Sequence, residues 1–483
     1  MQVAIYRCRH HVTVLEVDVL AAETPSILHR GWVRTHLAII LIAIAVTAAV
    51  AGGATYYVVY LAGCRPSSNL KFYENLTPSE KSFVENTLIP EFQTDHPNIT
   101  VTLVNLPTAD READDVKALV QANCAGTTLV GIDNLVVGEL IYSSSVTNLT
   151  SIIGNIEPPN LIPSAQNVIS YQRNIYNATY FIPFRSNVPL VFYDKRAFSA
   201  AGVSTPPSTT DELMADAAKL ASSNYKTPLM VQGGGMDNTP TELYQWMVQF
   251  GGNPFMFNDT GDVKAFQYLY NASSYFSPDY ATGYWGSYHE LYTGDYQILD
   301  YQWPYVYNLL TNATGGFTDT TLGVYPGPVG PANGNHLLGG DVLVVPRGAT
   351  NLNSIETFAR FLLDTKAQGE MLQKLSWVAV NNDAYSNLPA NQTVIGQQLL
   401  AAVQQGIFLR NPAPWISQWN AYANDAWSKI IGSHAPSSRA ASYDQIQTIL
   451  TTENNQLYQW LVQYYGSKTA QQYEQNVFKP ISV

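Results

Sequence analysis

The chain has 483 residues, too many for one simple core, so two or three lobes are expected. Hydrophobic residues make up 46%, as in a folded globular protein, while charged residues make up only 13%, about half the usual share of roughly 25%. The net charge is −12 with no basic run, which argues against a nucleic-acid partner. Tyr (31 residues), Asn, Gln, Ser and Thr supply the polarity instead. A surface solvated by hydroxyls and amides depends little on ionisation and would suit an acidic exterior.

In chain order, residues 1–36 read as an unstructured or cytoplasmic N-terminal segment. Leu37–Cys64, "LAIILIAIAVTAAVAGGATYYVVYLAGC", carries no charge and exceeds the roughly 20 residues that cross a bilayer. Trp32 stands before it and Tyr56, Tyr57 and Tyr60 near its end, like aromatic belts. It reads as a transmembrane anchor. The alternative is a signal segment cut at a lipobox-like Leu61-Ala62-Gly63-Cys64. Either way the remaining body is expected outside the cell, tethered to the membrane. Cys8 and Cys64 lie in or before this segment, so Cys124 is expected to be a lone buried thiol in the body. Eight N-x-S/T sequons (Asn75, Asn98, Asn148, Asn177, Asn258, Asn271, Asn312 and Asn391) permit surface glycosylation.

The body alternates short β-rich runs with helical patterns. "LKFYENL" reads as a strand, after which Thr77 caps a helix with Pro78 at its first position and Glu80 three residues past the cap. "ITVTLVNL" and "TTLVGID" read as strands, "DREADDVKALVQANC" and "NLVVGELIYS" as helices. "PLVFYD" reads as a strand, "TTDELMADAAKLASS" as a capped helix, "TPLMVQGGG" as a strand, and "PTELYQWMVQFGG" as a helix stopped by Gly251-Gly252. "YQIL" reads as a strand, Tyr301-Gln302-Trp303 as a turn, and Pro304 as the first turn of a helix that carries Tyr305 and Tyr307. Residues 414–464 read as two long amphipathic helices. Strands separated by helices imply βαβ units and parallel sheets. The expected fold is α/β with two lobes, whose ligand lies beyond the carboxyl ends of the strands.

"FIPFRSNVPLVFYDKRAFSAAGVSTPPSTTDELMADAAKL" (181–220) resembles the signature of extracellular solute-binding proteins of ABC sugar importers, the maltose-binding-protein-like group. Pro183, Tyr193-Asp194-Lys195, Phe198, Ala201-Gly202, Pro206-Pro207 and Thr210-Asp211-Glu212-Leu213 carry the pattern. "LIPEFQTDHPNITVTLV" (88–104), "GVYPGPVGPANGNHLLGGDVLVVPRGATN" (323–351) and "TFARFLLDTKAQGEMLQKLSWVAV" (357–380) are similar to further parts of that family. The resemblance implies a two-lobed periplasmic-binding-protein-like fold of type II, with a hinge and a central cleft. One lobe would hold 70–184 and 326–375, the other 185–325 and 376–483. It implies capture of a mono- or disaccharide and delivery to ABC permease subunits in the membrane, without catalysis.

The site residues come from the same resemblance. Trp303 would offer its indole face to a sugar's apolar C–H face. Asp133 and Asn134 would take hydroxyls, a carboxylate being able to accept from a vicinal diol. Gly339 and Gly340 would bring backbone N–H groups close to the sugar, with Asp341 beside them. Asn187, at the hinge, and Arg185, Gln232, Tyr244, Tyr73, Glu74, Asp300 and Trp377 complete the set. The hinge reads "RSN" where the family usually has an acidic residue, which leaves the identity of the sugar open. No H-x-x-x-H, C-x-x-C or phosphate loop points to a metal or cofactor. A binder of peptide or of another small polar solute is the nearer alternative. A glycoside hydrolase, needing two carboxylates about 5–10 Å apart, is the remote one.

Overall fold

Thr77 shows how closely the local sequence dictates local structure. It caps helix Pro78–Phe83 through a capping box: Glu80 N donates to Thr77 Oγ1 at 3.3 Å, and Thr77 N donates to Glu80 Oε2 at 2.8 Å. The structure, a computed structural model, describes residues 69–106, 111–156, 158, 160–281, 288–312, 314–386, 390–432 and 442–482. The apolar run Leu37–Cys64 and the segment 1–36 lie outside the described residues. Among the described residues no helix is long and apolar enough to cross a membrane.

The first lobe is built on β1 (Leu70–Glu74), β2 (Val101–Asn105), β3 (Thr128–Asp133) and β4 (Phe181–Pro183), joined by the later strand β11 (Asp341–Val344). Their order is β2-β1-β3-β11-β4. The second lobe holds β6 (Leu190–Asp194), β7 (Leu229–Met230), β8 (Ile298–Gln302) and β9 (Leu322–Tyr325), in the order β7-β8-β6-β9. The chain passes from the first sheet to the second between Pro183 and Leu190 and returns between Tyr325 and Asp341. In the first passage β5 (Arg185–Ser186) pairs with β12 (Val378–Ala379), so two crossing segments brace each other. A small third sheet joins β10 (His336–Leu338), β13 (Ile407–Leu409) and β14 (Ile481–Ser482).

The expectation of parallel sheets holds only in part. β1 lies parallel to β2 and β3, and β7 parallel to β8, with helices between the strands in the chain. The strands that enter from a crossing run the other way: β11 is antiparallel to β3 and β4, and β6 to β8 and β9. A strand arriving from the opposite lobe is not bound by the crossover geometry that makes βαβ neighbours parallel.

Helices cover both sheets. Thr209 caps Thr210–Ser223 by accepting from Glu212 N, and Asn238–Gln249 ends before Gly251. The tail forms Ile416–Ile430 and Tyr443–Tyr464, then a third helix, Gly466–Glu474. Phe72, Phe92, Phe184, Phe358 and Trp377 meet edge-on in the core of the first lobe. Tyr244, Phe255, Trp415 and Trp419 do so in the second. This second core extends onto the first lobe through Leu135, Val137 and Leu140. Cys124 departs from expectation: it is disulfide-bonded and half-buried, not a buried free thiol.

Candidate ligand-binding site

The site begins at the end of β8. The strand runs through Gln302, so the turn is Trp303-Pro304-Tyr305 and the helix starts at Val306, two residues later than the proline suggests. Tyr301 adopts a left-handed φ of 23° inside the strand, a strained conformation for an aromatic residue. Its hydroxyl is anchored on Gln249 Oε1 (2.9 Å) and the Pro328 carbonyl (3.1 Å). Gln302 Oε1 accepts from the Tyr288 hydroxyl at 2.7 Å. With both neighbours fixed, Trp303 is left half-buried at the seam between the lobes.

Gly339 lies against the indole. A Cβ at this position would stand 2.6 Å from Trp303 Cη2, so only glycine allows the approach. Gly340 has φ +116°, and a Cβ there would meet the Arg185 carbonyl at 2.2 Å. Asn187 and Gly339 exchange backbone hydrogen bonds at 3.1 and 2.8 Å, and Asn134 N donates to the Gly340 carbonyl at 3.1 Å. Trp303, Gly339, Gly340, Asn187 and Asn134 therefore meet in one place. Gln232 joins them: with Thr241, Glu242, Gln245 and Leu337 it lines a cavity beside Trp303. That cavity is about 10 Å³, room for about one water. Gln232 Nε2 is buried there without a partner, and so is Asn134 Oδ1 at the seam. Further along the same seam, Thr77, Glu80, Tyr305, Asn308, Gln373 and Lys374 surround a larger cavity of about 360 Å³, the size of a small-molecule pocket.

Charge is concentrated behind these surfaces. Asp133 Oδ1 accepts from Leu135 N (2.8 Å) and from Arg410 Nη2 (3.0 Å). Burial nevertheless raises its carboxyl above the ordinary value, against the pull of Arg410. Glu112 lies beneath it and accepts from Asp133 N at 2.8 Å; burial holds its carboxyl well above the usual range. Arg185 is the hub of the crossing. Its Nε donates to Asp341 Oδ2 at 2.6 Å, its terminal nitrogens approach Glu74 (3.5 Å) and Glu80 (3.6 Å), and its guanidinium lies 4.1 Å from the Trp377 ring centre. Trp377 Nε1 donates to Glu80 Oε1 at 2.6 Å.

The remaining expected residues fall away from the seam. Tyr244 is fully buried among Phe255, Phe408 and Trp419. Trp377 is buried under Arg185, and Glu74 is buried beneath the same guanidinium. Asp300 is fully buried behind Glu242, the two carboxyls facing each other so that a hydrogen bond between them needs a proton on one. Tyr73, half-buried on β1 between Val104 and Val130, is a wall residue. Arg410, Glu242 and Thr241 were not expected at all. Among the described residues no group of three or more His, Cys, Asp or Glu is placed to hold a metal ion.

The profile of the bacterial extracellular solute-binding protein family matches residues 75–369. The chain belongs to this family. It is thus a binding protein rather than an enzyme, and the binding frame described above is the family's two-lobed one. No curated protein matches in sequence. Among solved structures, the GacH receptor of Streptomyces glaucescens, determined unliganded and with acarbose, is similar at TM-score 0.68 and 19% identity, covering 80% of this chain and 98% of its own. Maltose-bound MalE3 of T. maritima gives 0.67 and 16%, covering 80% and 100%. A solute-binding protein of Thermotoga lettingae bound to α-D-tagatose gives 0.68 and 18%, covering 81% and 99%. At these identities the likeness is one of fold.

Proposed function

We propose that the protein captures a mono- or disaccharide between its lobes and hands it to the permease of an ABC importer. The observation that carries this is Trp303, a half-buried indole held at the seam by fixed neighbours and opposed by the bare backbone of Gly339-Gly340. An indole face suits the apolar face of a pyranose, and the surrounding polar groups suit its hydroxyl rim. Asp133, Asn134, Asn187, Gln232 and Asp341 are the polar set of this reading. Arg185, Glu74 and Trp377 support the crossing, and Tyr73, Tyr244 and Asp300 are the supporting wall. That similar folds are known with maltose, tagatose and mannobiose supports the ligand class.

The same proposal divides the chain into 70–184 with 326–375 and 185–325 with 376–483. It also makes Leu37–Cys64 the tether that holds the body at the outer membrane face, with exposed sequons such as Asn98, Asn148, Asn177 and Asn312 open to glycosylation.

Isothermal titration of the chain against a panel of mono- and disaccharides tests the ligand class. We expect one sugar to bind with micromolar affinity or better, and Trp303→Ala to weaken it by at least about tenfold, the equivalent of a stacking contact of roughly 1.4 kcal/mol. Undiminished binding by the variant would return Trp303 to a packing role. No heat with any sugar would redirect the search to peptides and other polar solutes.

A further inference from the structure

Three side chains form a line across the seam. Asp133 ends β3 of the first lobe, Arg410 follows β13, and Thr241 lies in helix Asn238–Gln249 of the second lobe. Arg410 Nη2 donates to Asp133 Oδ1 at 3.0 Å and Nη1 to Thr241 Oγ1 at 2.9 Å. The arginine is 3% exposed, and its Nε has no partner. This is no screened surface pair: deleting Asp133 strands the buried guanidinium of Arg410. The chain beyond Arg410 continues along the first lobe. Pro412 packs its carbonyl against Gly138, where a Cβ would stand 1.8 Å away, and Ser417 Oγ donates to Glu139 Oε2 at 2.8 Å.

The bridge also shapes the site. Arg410 and Leu135 N both occupy Oδ1 of Asp133, while the carboxylate side chain keeps a third of its surface exposed. Its second oxygen is thus the one available at the seam. Thr241, at the other end, lines the cavity beside Trp303 with Gln232.

We propose that Arg410 is the positioning residue that couples the two lobes. It pins Asp133 to Thr241 across the seam, holding the cleft shut and turning the outer oxygen of Asp133 toward the ligand. The last clause rests on the sugar reading above; the closing role does not.

The test is a distance measurement between the lobes. Spin labels carried by unnatural amino acids at exposed Asp95 and Lys264 of the full chain report the separation by double electron–electron resonance. The parent should give one short distance without ligand. Arg410→Gln and Asp133→Asn should each add a longer population, and the double variant should open no further than either single one. Arg410→Lys, which keeps the charge and one donor contact, should restore most of the short population. Far- and near-ultraviolet circular dichroism matching the parent identifies variants that remain folded. An unchanged distance in folded Arg410→Gln would overturn the proposal, as would additive opening in the double variant. Maltose and mannobiose titrated into the parent by calorimetry test the sugar reading separately, since silence there leaves the distance result standing.

Discussion

Asp300 and His336 are buried titratable groups with opposite consequences for stability. Burial pushes the Asp300 carboxyl up to about 7 from an ordinary 3.8, and Glu242 opposite it is also raised by burial. The stabilisation from a protonated Asp300 is fully present below about pH 4 and is lost as pH rises through 7. Burial lowers His336 from 6.5 to about 4, with Nε2 held 2.7 Å from Gln405 Oε1. Its contribution is present above 6.5 and is lost as pH falls through about 4. The two windows overlap and their slopes oppose, so thermal stability should be nearly level from pH 4 to about 6.5 and fall between about 6.5 and 7. Asp300→Asn, which mimics the protonated form, should leave stability rising from about pH 4 to 6.5, and His336→Gln should leave it falling from about pH 4 to 7. A melting temperature that climbs steadily from pH 5 to 8 in the parent would contradict this account of the pair.

At the scale of elements, most of what was legible in the sequence was local. Thr77, Pro78 and Glu80 announce a helix start because cap, ring and carboxylate act within four residues, and the capping box forms as expected. Thr77→Ala should cost about 1 kcal/mol in chemical denaturation. Glu80→Gln should cost more, because the same carboxylate also receives Trp377 Nε1. The candidacy of Trp303 came from the strand and the proline that bracket it. The candidacy of Asp133 and Gly339 came from the family resemblance. Arg410 was not: its partner Asp133 lies 277 residues away, and no local pattern records so long a contact. Glu242 was hidden for the same reason, because burial against Asp300 exists only once helix Asn238–Gln249 packs on β8. Tyr244 and Trp377 show the reverse. Both sit in motifs that resemble site motifs, yet packing turns them inward. The mixed sheets were missed because strand direction after a crossing is set by the partner lobe.

For the molecule as a whole, the crossings define how the lobes can move. β5 and β12 brace each other at the crossing, Arg185 gathers Asp341, Glu74 and Glu80 beside them, and Arg410 grips Asp133, the register partner of Asp341, close by. The lobes are thereby tied where the chain crosses, which favours rotation about the crossing over sliding of one lobe past the other. The tight seat of Trp303 on Gly339 then has a kinetic meaning. The cavity beside Trp303 has room for about one water, so a sugar that is to stack on this indole must wait for the seam to part there. Observed association rates in stopped-flow mixing should rise with ligand concentration and then level off at the opening rate, and the apparent affinity should be diluted by the fraction of time spent shut. A rate that keeps rising linearly would mean that the seam is already open when ligand arrives. The closed space beside this indole would in that way act as a clock, setting how often each molecule samples its surroundings.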